Sequence, residues 1–84
     1  MLYGVGSHVH ADPECRAGRD VIGTLNSRGM SPDTIMTIIG TRVVPVAGVD
    51  TFVPDTRKCD IADVELPDGE ILEGVDTIAF SPAD

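Results

Sequence analysis

The sequence predicts a β-rich α+β domain over residues 1–84, a small sheet or partly open barrel with one main helix at about 13–28. Three observations carry this expectation. A helix is bracketed by a start signal at Asp12-Pro13 and a stop at Gly29. From Thr34 onward, short apolar or alternating runs rich in β-branched residues follow one another between Pro and Gly. Pro67-Asp68-Gly69 then sits between two such runs as a hairpin turn.

The elements follow in order. Leu2 to His10 alternate loosely, with His8 and His10 on one side and Val5 and Val9 on the other, as in a strand interrupted by Gly4 and Gly6. Asp12 can accept from free backbone N–H groups, Pro13 loses no donor that a first turn needs, and Glu14 suits the positive end of the dipole. A helix from Pro13 to Arg28 results, ended by Gly29 as a left-handed cap. Its inward stripe is Ala17, Val21 and Leu25, with Ile22 beside it. Gly18 and Gly23 inside it point to close packing against another element.

The segment Thr34-Ile35-Met36-Thr37-Ile38-Ile39 is read as a strand because of its β-branched residues; as a helix it would end at Gly40 and form a helical hairpin. Further strands are expected at Thr41–Val46, Asp50–Val53, Ile61–Leu66 and Glu70–Phe80, with Pro45 marking an edge or a bulge. At Pro67-Asp68-Gly69, Pro presets the first turn position and Gly supplies positive φ. Ser81 to Asp84 reads as a frayed end.

A hydrophobic fraction of 42% and a mean hydropathy of +0.09 place the chain among those that collapse. The core must be built from aliphatic residues, because the aromatics are Tyr3, Phe52 and Phe80 and there is no Trp. A core this small often gains its margin from self-association, so a homo-oligomer is expected. No run is long and apolar enough to cross a bilayer, and Met1-Leu2-Tyr3-Gly4 lacks the regions of a secretion signal. The expected location is the cytoplasm, or a particle assembled there such as a virus or phage. Cys15 and Cys59 are expected as free thiols.

The net charge of −8 is unevenly placed. Four Arg balance four acids up to Arg42, whereas beyond it Arg57 and Lys58 face seven Asp and three Glu. That distribution opposes direct binding to nucleic acid or anionic membranes and makes a basic protein surface the more natural partner, the alternative being an acidic face kept solvated for solubility. In an extended chain Asp63 and Glu65 share one face, opposite Ala62, Val64 and Leu66, and Glu70 and Glu73 add charge across the turn. These four carboxylates are the candidate partner-binding residues.

One cluster suggests chemistry. Within Ser7 to Cys15 lie both histidines, Cys15, Asp12 and Glu14. On a strand, His8 and His10 face the same way and could hold a zinc ion with Cys15 or Asp12, Cys59 completing a structural site. Against this, no paired C-x-x-C accompanies the His-X-His, and Asp12 has a competing role as a cap. Cys15 near a helix N-terminus suits a reactive thiol, but the chain shows no nucleophile elbow and little room for a substrate pocket. A helix-turn-helix is disfavoured because Pro32 to Ile39 is mostly apolar, carries an acid near its start and has no Arg or Lys. The expected function is therefore non-catalytic: a protein-interaction, assembly or regulatory module with an acidic C-terminal β face. Short strands at Thr41–Val46 or Glu70–Leu72 could extend a partner's sheet. The alternatives are a zinc-stabilised domain on His8, His10, Cys15 and Cys59, and a small-ligand binder with Gly4, Gly6 and Ser7 lining a backbone cradle between subunits.

Overall fold

The computed structural model of the chain describes residues 3–45 and 58–83. Five strands, β1 (His8–Ala11), β2 (Met36–Pro45), β3 (Lys58–Glu65), β4 (Ile71–Asp76) and β5 (Phe80–Pro82), form one antiparallel sheet in the order β4-β3-β2-β1-β5. The sheet is open, so the barrel alternative does not apply. Among the described residues one helix, α1 (Arg16–Ser27), covers one face, and a 3-10 turn at Thr77–Ala79 joins β4 to β5. Asp50–Val53, expected as a strand, lies outside the described residues.

Alternation along the strands sets the core. Val9 and Ala11 on β1, Met36 and Ile38 on β2, and Ala62 and Val64 on β3 are buried, and Val21 and Leu25 of α1 close over them. Ala17 and Ile22 are half-buried at the margin, so the expected stripe faces the core with its two central residues deepest. Among the described residues no element packs on the opposite face of the sheet. That face carries the cross-strand row His8, Thr37, Glu65 and Ile71.

The end of α1 matches its sequence signal and the start does not. Gly29 has φ +78, its N–H donates to the Asn26 carbonyl at 3.0 Å, and the Met30 N–H donates to the Leu25 carbonyl at 2.9 Å. This is the double-bonded glycine cap that a stop at Gly29 implies. The start moves from Pro13 to Arg16 because Asp12 is occupied elsewhere. Its N–H donates to the Ala79 carbonyl at 2.8 Å, and its Oδ1 accepts from the Glu14 N–H at 2.9 Å in a tight turn. Cys15 caps instead, its Sγ accepting from the Gly18 N–H at 3.3 Å. Gly18 is needed for close approach: a Cβ there would lie 1.8 Å from the Asp12 carbonyl oxygen. Gly23 is different, since a Cβ there would meet nothing within 4 Å, and close packing at that position is not found.

Other boundaries shift for identifiable reasons. The N-terminal strand begins only at His8, because Gly6 turns the chain at φ +93 and the Ser7 N–H closes that turn on the Gly4 carbonyl at 3.1 Å. Gly40 does not end the β2 segment. Ile39 is an extra residue between the pairs Ile38–Val64 and Gly40–Asp63, so the expected strands at 34–39 and 41–46 fuse through a bulge into one strand over Met36–Pro45, Val46 lying outside the described residues. Pro45 pairs with Lys58 where β1 no longer flanks β2, which is a local edge as Pro requires. The run Glu70–Phe80 is broken by the 3-10 turn, capped by Asp76 Oδ1 accepting from the Ile78 N–H at 3.1 Å. Ser81 and Pro82 are not frayed: they belong to β5, and the Ala83 N–H donates to the His8 carbonyl at 3.0 Å.

Candidate functional site

The hairpin turn forms as its residues imply. Gly69 has φ +88, its N–H donates to the Leu66 carbonyl at 2.9 Å, and the Asp68 carboxylate accepts from the Glu70 N–H at 2.9 Å. This turn joins β3 to β4 at one end of the sheet, and the two strands with their turn carry Asp60, Asp63, Glu65, Asp68, Glu70, Glu73 and Asp76. Acid spread along the second half of the chain is thereby gathered on one edge of the fold.

The four candidate carboxylates have different fates. Asp63 and Glu65 do point away from buried Ala62, Val64 and Leu66. Asp63, however, is a staple between strands: Arg42 of β2 pairs with it at 3.0 Å, and the Gly74 N–H of β4 donates to it at 2.8 Å. That amide is free to do so because Glu73 and Gly74 together oppose Asp63 in a bulge, where Gly74 takes φ +67. Glu70 lies 3.5 Å from Arg28, whose guanidinium also binds Asp68 at 2.7 Å and ties the turn to the end of α1. Glu65 and Glu73 are exposed and make no ion pair with another described residue.

These contacts set the response to acid. The Gly74 amide, and then Arg42, hold the Asp63 carboxyl below its ordinary range; the Glu70 amide and Arg28 do the same for Asp68. Groups depressed in the folded state stabilise it above their unfolded pKa, near 4, and lose that contribution as pH falls through the folded value. Urea midpoints are therefore expected to be flat from about pH 8 to 5 and to decline below about pH 4. Asp63→Asn should make that decline shallower while lowering the midpoint at neutral pH; an acid limb identical to that of the parent protein would remove Asp63 from the account.

His8 and His10 project from the open face, as their spacing implies, His8 exposed and His10 half-buried. Cys15 is on the other side of the sheet, capping α1 and donating its S–H to the Ile78 carbonyl at 3.2 Å. Cys59 is far along β3: His8 pairs with Thr37 and Thr37 with Glu65, and the six residues from Glu65 back to Cys59 span about 20 Å. The four proposed zinc ligands are thus not brought together, and no group of three or more His, Cys, Asp or Glu is gathered for a metal ion among the described residues. Both cysteines are free. The Cys59 S–H donates to Asp76 at 3.2 Å, and this bond, with partial burial, raises the thiol pKa. The Gly4–Ser7 cradle has already spent two of its amides, Gly6 N–H on the Ile38 carbonyl at 2.7 Å and Ser7 N–H on Gly4.

A groove of about 380 Å³ between α1 and β4 is not foreshadowed by any pattern in the sequence. Ala17, Val21 and Thr24 line its helix side, Leu72 and Val75 its strand side, and Asp20 and Glu73 stand among them. Ala17, Val21 and Thr24 recur at helical spacing, but they meet Leu72 and Val75 only because β4 ends the sheet beside α1. No helix among the described residues is long and apolar enough to cross a membrane. Compared with known protein families, curated proteins and solved structures, the chain matches none of them.

Proposed function

We propose that the chain is a non-catalytic protein-interaction module, an assembly or regulatory part that docks a basic protein surface on its β3–β4 edge. The observation that carries this reading is the gathering of acid on a hairpin at the end of the sheet, where Arg28 and Arg42 offset part of it and Glu65 and Glu73 stay unpaired with other described residues. Complementary charge of this kind speeds encounter and selects partners. The hairpin's outer strand has no neighbour on its far side among the described residues, so backbone pairing is available in addition to charge.

The module acts as a homo-oligomer in this reading. Beyond the pair Ile61–Asp76, Val43 to Pro45 and Lys58 to Asp60 form a two-stranded ribbon with no further strand beside it among the described residues, and Val43 is 48% exposed. Ribbons of two strands are marginal in water until something covers them. Native mass spectrometry of the untagged protein, purified without chelator, reports subunit number and any retained zinc or small molecule in one spectrum. An oligomer free of metal agrees with the proposal, whereas retained zinc replaces it with the metal-binding alternative.

The docking face is tested on partners captured by cross-linking and then purified. Affinity should fall steeply as salt rises from about 0.05 to 0.5 M, and Glu65→Gln with Glu73→Gln should weaken it at low salt. An affinity flat with salt would reduce the acidic edge to a solvated surface.

A further inference from the structure

We infer that the groove between α1 and β4 binds an extended, basic segment of a partner, which pairs its backbone with the Ile71–Leu72 edge and lays an apolar side chain against Ala17 and Leu72. This rests on the protein-interaction reading above and gives it a site and a ligand chemistry.

The backbone supplies the first half of the recognition. As the last strand of the sheet among the described residues, β4 presents on its outer side N–H and C=O groups that no described strand pairs. Ile71 and Leu72 pair regularly with Glu65 and Val64, but the bulge at Glu73 and Gly74 interrupts the edge beyond them. A partner strand therefore has one short regular stretch to join. The helix wall has a similar reach: Ala17 to Thr24 covers about 10 Å at roughly 1.5 Å per residue, or some three residues of extended chain. An edge strand with a helix alongside is the arrangement in which strand addition yields both affinity, from backbone bonds, and specificity, from alternate side chains.

The groove's surface chooses the side chains. Its floor is apolar and incompletely covered, with Ala17, Leu72 and Val75 half-buried, and the small Ala17 leaves depth on the helix side. Asp20 on α1 and Glu73 on β4 are both exposed and make no ion pair with a described residue. At about 100° per residue, Arg16 and Arg19 project roughly 90° or more away from the groove side of the helix. The rim is thus negative, and it fits an apolar residue flanked by Lys or Arg while repelling an acidic segment.

The probe is an alternating Lys-Val peptide, Lys-Val-Lys-Val-Lys-Val-Lys, titrated into the full chain at low salt and followed by amide chemical shifts. Two N-methylated forms go with it, one blocking every Val amide and the other every Lys amide. Paired strands present alternate amides to each other, so one methylated form should bind at least about tenfold more weakly while the other binds as the parent peptide does. Shifts should concentrate at Ala17–Thr24 and Ile71–Glu73, and Asp20→Lys, an exposed change that leaves the melting temperature unaltered, should cost about tenfold. Equal binding of both methylated forms, or shifts confined to the open face around Glu65, overturns the groove while the acidic-edge reading stands. No binding by any of the peptides, with the chain folded by its amide spectrum, overturns both.

Discussion

Gly18→Ala is expected to destabilise the protein by about 3 kcal/mol or more, because the new methyl group would meet backbone. The Cβ would sit 1.8 Å from the Asp12 carbonyl oxygen and 2.7 Å from its carbon, and neither can swing aside as a side chain would. To make room, either α1 lifts from the Asp12 turn or that turn gives up its bond to the Ala79 carbonyl. The same substitution five residues on is the control. Gly23 is exposed, helical and open around its Cα, so Gly23→Ala should gain about 0.5–1 kcal/mol from reduced freedom of the unfolded chain. Urea denaturation read by far-UV circular dichroism compares the two. A Gly18→Ala protein as stable as the parent would mean that the helix does not approach the Asp12 backbone as described.

Leu25→Ala is the second large effect, at about 3–4 kcal/mol. Leu25 is fully buried and sits with Val21 on the stripe that closes the core over Val9, Met36 and Val64. Its removal takes away apolar contact and leaves a cavity that strands hydrogen-bonded on both sides can fill only in part. At about 0.05–0.15 kcal/mol per residue a chain of this size has roughly 4–13 kcal/mol in all, so a quarter or more of its stability is lost and the urea midpoint falls in proportion. Leu25→Met, which keeps the volume, should cost less than about 1.5 kcal/mol. A loss under about 1 kcal/mol for the Ala variant would show that the core does not depend on this contact.

Both effects turn on places where local pattern and tertiary contact meet. The Ala17, Val21 and Leu25 stripe was legible because its period is that of the helix, and Gly29 was legible because a left-handed cap is a property of one residue and its immediate neighbours. Gly18 and Gly23 look identical in sequence, yet one faces the Asp12 turn and the other faces solvent. The capping role passed from Asp12 to Cys15 for the same kind of reason: the Asp12 carboxylate is spent on the Glu14 N–H, in a turn anchored by the bond of the Asp12 N–H to Ala79, a residue far along the chain. The candidate carboxylates were legible as a face and not as individuals, since Asp63 meets Arg42 only through the register of β2 on β3.

By itself the sequence determined the α+β class, the end of the helix, the Pro67-Asp68-Gly69 hairpin, the alternation that turns Val64 inward and Glu65 outward, and the acid of the second half. Each of these is encoded within a few residues, by backbone preference, capping or strand periodicity. Tertiary structure alone decided that β5 returns to pair with β1, that Cys15 and the two histidines lie on opposite sides of one sheet, and that β4 ends the sheet beside α1 with a groove between them. Those outcomes join residues distant in sequence, and they depend on how well whole faces pack after the loops between them close, a sum over many contacts that no short stretch of chain contains.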